Sequence, residues 1–103
     1  FHCYSGSLEM AKELVRRGWY IGFTGVITFK NARKAVEVAE WLPLSRTLIE
    51  TDCPYMAPEP YRGRRCDPSM VPQMAKKIAE IKGLTPEAVA EATTRSAHAL
   101  FRL

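Results

Sequence analysis

Residues 19–54, WYIGFTGVITFKNARKAVEVAEWLPLSRTLIETDCP, contain the pattern that predicts the fold. Trp19–Phe23 is apolar on both faces, as is typical of a strand that is covered on both sides. Asn31 is a potential N-cap, and apolar residues recur after it at helical spacing up to Leu42-Pro43. A further apolar run, Thr47–Ile49, predicts the next strand. This order of strand, helix and strand predicts two parallel strands joined by a right-handed crossover.

The same alternation extends to both sides of this stretch. The residues up to Tyr4 are predicted to end an earlier strand, and a helix is predicted to follow Ser7 and to end before Gly18. Asp67-Pro68 and Thr85-Pro86 are each typical of a helix start. One strand and its helix take about 28 residues, close to an eighth of a roughly 250-residue (β/α)8 barrel. The fold class is therefore predicted to be α/β, with part of such a barrel present.

Composition and charge exclude several classes of protein. The chain has 103 residues, of which 47% are apolar and 25% charged, which is typical of a globular domain and excludes disordered and collagen-like chains. No stretch approaches the roughly 18 apolar residues of a membrane span. The net charge of +4 predicts a mild attraction to polyanions. Three irregularly spaced cysteines and the absence of a secretory signal predict a cytoplasmic protein with reduced thiols.

Polar residues follow the predicted strands at three places, His2–Ser7, Gly22–Gly25 and Glu50–Pro54. Parallel strands carry their sites at their carboxyl ends, so these residues are expected to meet at one rim. The His2 imidazole and the Asp52 carboxylate are ligands that suit Zn, Mn or Mg. Two ligands do not complete a catalytic metal site, and the alternative is that His2 is a terminal histidine and Asp52 a turn residue.

The segment from Cys53 to Asp67 is rich in proline and arginine and has no periodicity. A loop of this length is expected to have a function. It contains the three arginines that are candidates for phosphate binding, Arg62, Arg64 and Arg65. A guanidinium group binds two phosphate oxygens at once, although such a run taken by itself is more often a solvated basic loop.

These motifs together resemble the TatD family of metal-dependent deoxyribonucleases, which are barrels of the amidohydrolase type. The matching motifs are HCYSGS at 2–7, YIGFTG at 20–25, LIETDCPYMAP at 48–58 and YRGRRCDP at 61–68. The resemblance extends over essentially the whole chain. It implies that residues 1–103 form the C-terminal part of a single barrel domain, roughly its last three βα units, with the N-terminal part absent.

The resemblance also implies a function and roles for individual residues. The family hydrolyses phosphodiester bonds of DNA at a site with two divalent ions, here Mg, Mn or Zn, and several members are 3′-to-5′ exonucleases. By resemblance, His2 and Asp52 are metal ligands, with Asp52 beside the attacking water, and Glu50 supports the site or contacts the substrate. The remaining family ligands have no counterpart in these 103 residues, so the isolated chain is expected to be inactive.

Two alternatives remain open from the sequence. A hydrolase on the same scaffold could act on an ester or amide, such as an aminoacyl-tRNA end, or on RNA in place of DNA. A non-catalytic fragment could instead self-associate through open sheet edges. Trp19 and Trp41 are expected in the core or the helix layer, and Met56 is expected to pack. Tyr55 and Tyr61 are expected to pack the loop, with stacking on a terminal base as the alternative.

Overall fold

A computed structural model describes all of residues 1–103. Its two strands are β1 (Ile21–Phe23) and β2 (Thr47–Ile49), and its four helices are α1 (Leu8–Arg16), α2 (Arg33–Trp41), α3 (Val71–Lys82) and α4 (Pro86–Phe101). Single turns of 3-10 helix span Gly25–Thr28, Leu44–Arg46 and Pro68–Met70. The strands are parallel, with Gly22 opposite Leu48, as the sequence predicts. No helix is both long enough and apolar enough to cross a membrane.

Residues 1–4 run beside β1 but do not form a regular strand. The Gly22 N–H donates to the Phe1 carbonyl at 2.8 Å, and the Tyr4 N–H donates to the Gly22 carbonyl at 3.0 Å. These partners are three residues apart, whereas a regular parallel ladder would space them by two. The extra residue is accommodated because the backbone of Cys3 has a left-handed conformation, with φ 50°. The predicted first strand is therefore an irregular segment that hydrogen-bonds to β1.

The helix ends follow the predicted capping chemistry in all but one place. The Ser7 hydroxyl accepts a hydrogen bond from the Met10 N–H, and Gly18 and Gly83 have the positive φ of C-terminal caps. The prediction of Asn31 as a cap is wrong. Helix α2 begins one residue later than that cap would place it, and the residue at its N-cap position, Ala32, has no side chain that could make the bond.

The core lies between the two-stranded sheet and the helices that pack on it. Its largest buried side chains are Ile21, Phe23, Ile27, Val38, Leu42, Met74 and Ile78. Burial of each such side chain contributes about 1.5–3 kcal/mol. Trp19 and Trp41 are expected in the core or the helix layer; they are 44% and 37% exposed, so neither lies in the core, and Trp41 is the last residue of helix α2. Trp19 precedes β1 and contacts the Phe1 ring at 5.4 Å between ring centres, outside the core.

Candidate metal site and basic loop

The structure brings His2, Glu50 and Asp52 together at the carboxyl ends of the strands. His2 Nδ1 contacts Glu50 Oε1, and His2 Nε2 lies 3.9 Å from Asp52 Oδ1. The side chains of His2 and Asp52 are 62% and 41% exposed, so solvent reaches both. The prediction that the segments around residues 2 and 50–52 meet at one rim is confirmed by these contacts.

Glu50 is held in place by the sheet and by its neighbours. Its N–H donates to the Phe23 carbonyl at 3.0 Å, which continues the pairing of β2 with β1. Its Oε1 accepts the Cys3 N–H at 2.8 Å in addition to the contact with His2. Its other oxygen, Oε2, lies over Gly22, where a Cβ atom would overlap it. The carboxylate therefore has one defined position from which to orient the imidazole.

The short motif that carries His2 is also fixed by local contacts. The Tyr4 hydroxyl donates to the Ser7 carbonyl at 2.7 Å, and burial raises the pKa of that hydroxyl. Gly6 lies under the Tyr4 ring, where a Cβ would overlap the ring. This closed turn leads directly into α1 and fixes the direction in which the chain leaves the site.

The side chains of His2, Glu50 and Asp52 can be compared with the ligands of a divalent ion. A metal-bound histidine commonly donates its second ring N–H to a carboxylate, and Glu50 is placed to accept that bond. Two ligands at about 2.0–2.2 Å from one ion lie at most about 4.4 Å apart, and His2 Nε2 and Asp52 Oδ1 satisfy this limit. No group of three or more His, Cys, Asp or Glu side chains is arranged to hold a metal ion. The residues therefore fit part of a metal centre.

Asp52 also belongs to a tight turn. The Tyr55 N–H donates to the Asp52 carbonyl at 2.8 Å, and the two residues form an isolated antiparallel bridge. The backbone of Asp52 thus serves the turn, while its carboxylate is free to face His2. The expectation that Tyr55 packs the loop is wrong, because 68% of Tyr55 is exposed.

The arginine-containing loop is anchored at both ends and in its middle. The Cys66 N–H donates to the Pro54 carbonyl at 2.9 Å and closes the loop. The Glu59 N–H donates to Thr28 Oγ1 at 2.8 Å. The backbone of residues 56–58 lies against Gly25, where it leaves no space for a Cβ. The loop is therefore a fixed layer over the 3-10 turn that follows β1.

All three candidate arginines are exposed on this loop. The Arg62 guanidinium lies 3.8 Å from the centre of the Phe29 ring, and the Arg64 N–H donates to the Tyr61 carbonyl at 3.0 Å. None of the three forms an ion pair, since the ion pairs of the chain involve other residues. Their charge is therefore available to an anion from outside.

Sequence reasoning missed a second group of side chains beside Glu50. Cys3 Sγ lies 3.7 Å from both Thr24 Oγ1 and Met56 Sδ, and Thr24 Oγ1 lies 3.9 Å from Met56 Sδ. Met56 is 41% exposed, but its thioether packs against Cys3 and Thr24. The only available signal was the position of Thr24 at a strand end, because Cys3 and Met56 are 53 residues apart.

An apolar groove is lined by residues of β2, α3 and α4. Its volume is about 770 Å³, and its lining includes Leu48, Ile49, Val71, Ala75, Ala90 and Ala97. His98 is exposed and is one of the residues that line this groove. The groove and the metal-ligand candidates are thus separate features of the chain.

Comparison with known proteins agrees with the resemblance of the motifs. A family model described as TatD related DNase matches residues 1–102. YabD, a metal-dependent hydrolase of Bacillus subtilis, is 48% identical over 102 residues, which are 99% of this chain and 40% of that protein. The 3′-5′ ssDNA/RNA exonuclease TatD of Citrobacter rodentium is 36% identical over 97% of this chain and 40% of its own.

Solved structures agree with the fold. The crystal structure of YjjV, a TatD homologue of Escherichia coli K12, matches with a TM-score of 0.90 at 31% identity, over 99% of this chain and 39% of that one. The chain thus spans about 40% of the length of the curated relatives it matches. With its parallel strands, crossover helix and C-terminal helices, its fold is a partial (β/α)8 barrel.

Proposed function

Because the chain belongs to the TatD family of related DNases, we propose that it is the C-terminal part of a barrel domain that hydrolyses phosphodiester bonds of nucleic acid with divalent metal ions. The contact of His2 with Glu50, beside Asp52, is the observation that carries this proposal. An imidazole and a carboxylate face each other at the carboxyl ends of parallel strands, where barrel enzymes have their sites.

In this proposal each of the three residues has a separate role. His2 Nε2 and Asp52 Oδ1 hold a divalent ion, one of two in the complete site, of the Mg, Mn or Zn class. Such an ion polarises a phosphoryl oxygen and increases the acidity of water. Glu50 keeps Nδ1 protonated and therefore turns the lone pair of Nε2 toward Asp52.

Asp52 has a second role in accepting a proton. Its carboxylate is 41% exposed, so a water molecule reaches it from the open side of the site. A carboxylate within hydrogen-bond reach of an attacking water orients that water and takes its proton. Asp52 is therefore the proposed catalytic residue, and Glu50 is a positioning residue that acts through His2.

Nucleic acid is the proposed substrate, and the exposed arginines support this choice. The Arg62 guanidinium packs on the Phe29 ring while the residue stays exposed, so its charge is open to phosphate oxygens. Arg64 and Arg65 extend the basic surface along the same loop. The C. rodentium relative is named for activity on single-stranded DNA and RNA from the 3′ end, and we propose that class of substrate, with DNA as the principal one.

A chimaera tests the proposal in a complete barrel. The chain replaces the matching segment of the C. rodentium exonuclease, and release of nucleotides from single-stranded DNA is measured with Mg, Mn or Zn. We expect activity, with a loss of about 100-fold or more in Asp52→Asn, because a bound ion supplies several kcal/mol of transition-state stabilisation. Glu37→Gln, an exposed carboxylate on α2, is the matched control. Full activity in Asp52→Asn would contradict the assigned role.

The isolated chain and the arginines provide two further measurements. We expect no nucleotide release from the 103-residue chain, because its residues fit only part of a metal centre. In the chimaera, Arg62→Ala should raise KM and reduce the dependence of KM on salt, as expected when a phosphate contact is lost. If hydrolysis were confined to aminoacyl esters, the nucleic-acid substrate would be wrong and the ester alternative correct.

Self-association is the second candidate function. Strand β2 is paired only with β1, and its residues Leu48 and Ile49 help line the apolar groove. A second copy that covers this edge would remove apolar surface and unpaired backbone from water. We expect a dimer in analytical ultracentrifugation that Leu48→Lys dissociates and Glu37→Lys, on α2, does not. A monomer at all concentrations would exclude this function.

A further inference from the structure

Tyr55 is an aromatic residue that stands in solvent close to the candidate metal ligands. It is 68% exposed, whereas the other tyrosines of the chain are partly buried. Its ring stacks on no other aromatic ring and on no cationic group of the chain. A single exposed aromatic side chain is common on protein surfaces, so the position of this one relative to Asp52 is what gives it a meaning.

The backbone places the ring of Tyr55 next to the Asp52 carboxylate. The two residues form an antiparallel bridge, in which the Tyr55 N–H donates to the Asp52 carbonyl at 2.8 Å. Residues paired in this way stand directly opposite each other on one face, with Cβ atoms about 4.5–5.5 Å apart. The Asp52 carboxylate faces His2 Nε2 at 3.9 Å. The ring of Tyr55 therefore lies on the side of the turn where the proposed chemistry takes place.

The chain is anchored on both sides of Tyr55, so the ring projects from a fixed turn. Before it, the Pro54 carbonyl accepts the Cys66 N–H at 2.9 Å. After it, Met56 Sδ lies 3.7 Å from Cys3 Sγ, which holds the next side chain down on the site. A tyrosine has only two side-chain torsions to restrict, so a ring on such a turn loses little conformational entropy when it contacts a ligand.

The same loop carries the positive charge that a single strand requires. Arg62, Arg64 and Arg65 follow Tyr55 on this loop, are exposed and form no ion pair. Proteins bind single-stranded nucleic acid by combining a basic surface along the backbone with aromatic rings on which the bases stack. Tyr61, the other tyrosine of the loop, is partly buried and is a matched control.

We propose that Tyr55 stacks on the 3′-terminal base of a single strand whose terminal phosphodiester lies at Asp52. This inference rests on the proposed function and adds to it the group that recognises the end of the substrate. One sugar separates the terminal base from the phosphodiester that is cut, so a ring beside Asp52 is within reach of that base. Every base has a face that can stack, so the contact tolerates any sequence. A terminal base that is paired in a duplex is less accessible, so Tyr55 favours single strands.

Kinetics of the chimaera on two DNA strands test the inference. One strand is ordinary, and the other ends in a stable analogue of a 3′-terminal nucleotide that has no base. On the ordinary strand, Tyr55→Leu should raise KM roughly 5–100-fold with kcat little changed, as expected for the loss of stacking on one base. On the strand without the terminal base, Tyr55→Leu should have no effect. Tyr55→Phe keeps the ring and should retain the original KM, as should the control Tyr61→Leu.

Photocrosslinking locates the terminal base without any need for turnover. The probe is a single strand with iodouracil as its 3′-terminal base, which is bound to the Asp52→Asn chimaera and irradiated. Mass spectrometry should find the cross-link on Tyr55. A cross-link on Tyr61 or on any other residue would overturn the inference.

The results distinguish the failure of this inference from the failure of the proposed function. If Tyr55→Leu hydrolysed both strands normally, or both equally poorly, the stacking role would be wrong and the proposed function would stand. A loss in Tyr55→Phe as large as that in Tyr55→Leu would also overturn stacking. If the chimaera cross-linked at Tyr55 but cut no phosphodiester, stacking would be supported and the proposed function would be wrong. The side chain is exposed, so Tyr55→Leu is expected to fold, which circular dichroism checks.

Discussion

The carboxylate of Glu50 fills the space above Gly22 that a side chain at that position would occupy. Gly22 lies within β1, and Glu50 follows β2, so the two residues are neighbours only because the strands are parallel and in register. A strand glycine of this kind allows a functional group to approach the sheet backbone closely. The sheet itself therefore contributes to the placement of Glu50 against His2.

Gly22→Ala should destabilise the fold and displace Glu50. The added Cβ overlaps the carboxylate, and overpacking of this kind costs about 1–3 kcal/mol. Urea unfolding measures the loss. In a Glu50→Ala background the same substitution should cost less, because the overlapping group is gone. Equal costs in the two backgrounds would show that the glycine is needed for another reason.

Glu50→Gln should weaken metal binding in the chimaera while leaving the fold intact. The amide oxygen still accepts the Cys3 N–H, but the charge that orients the His2 imidazole is lost. Loss of such an orienting partner typically costs 10–100-fold in metal affinity. The metal concentration for half-maximal activity should rise accordingly, with activity recovered at high metal. Glu37→Gln, exposed on α2, is the control and should have no effect. If Glu50→Gln lowered kcat without changing the metal dependence, a positioning role for Glu50 would be wrong.

Gly25→Ala should release the arginine-containing loop. The backbone of residues 56–58 meets the position of the new Cβ and cannot move as a side chain would. We expect a loss of roughly 1–3 kcal/mol in stability and faster tryptic cleavage after Arg62, Arg64 and Arg65. Cleavage within α1 and α2 serves as the internal reference. Cleavage of the loop at the wild-type rate would mean that the loop is not held by this contact.

Acid should weaken the cap at the start of α3. The Ser69 hydroxyl and N–H both donate to Asp67 and hold the pKa of that carboxyl below its ordinary 3.8. A lowered pKa in the folded state stabilises the protein above pH 3.8, and this contribution is lost as the pH falls through the folded value. Ser69→Ala should therefore lower the melting temperature at neutral pH but not in strong acid. Ser45→Ala, in another 3-10 turn, is the control and should change the melting temperature equally at both pH values. If Ser69→Ala also changed it equally at both, the proposed link between the Asp67 pKa and stability would be wrong.

The three thiols should differ in their rate of alkylation. Burial raises the pKa of the Cys66 thiol, with smaller contributions from Cys53 and the acidic residues nearby, and the thiolate is the reactive form. With iodoacetamide at mildly alkaline pH, mass spectrometry should find Cys53 modified first and Cys66 last. All three should react alike in guanidinium chloride. Early modification of Cys66 in the native protein would show that its region opens readily.

Much of the fold could be predicted because local chemistry and tertiary packing agree. Ser7, Gly18 and Gly83 mark helix ends where the structure has them. Asn31 was misleading because α2 begins at Arg33, one residue later than an Asn31 cap would place it, so that Ala32 stands at the N-cap position. The exposure of Trp19 could not be predicted, since its apolar run continues into a buried strand and only the register shows where that strand starts.

The candidate site was predictable only in part, for a different reason. His2, Glu50 and Asp52 stand in motifs at strand ends, and parallel topology brings such ends together. Their individual contacts depend on the irregular segment at residues 1–4, which no periodicity indicates. The group of Cys3, Thr24 and Met56 depends on two left-handed residues and on a loop that packs far from its neighbours in sequence.

The contact between Cys3 and Glu50 spans 47 residues of sequence, and this separation links occupancy of the site to the folding equilibrium. His2 and Asp52 are neighbours only in the native chain, so an unfolded molecule cannot offer both to one ligand. A ligand that bridges them binds only the folded molecule. At a ligand concentration one hundred times Kd, such binding raises the free energy of unfolding by about 2.7 kcal/mol. The melting temperature of this small chain is therefore itself a binding assay, one that needs no turnover.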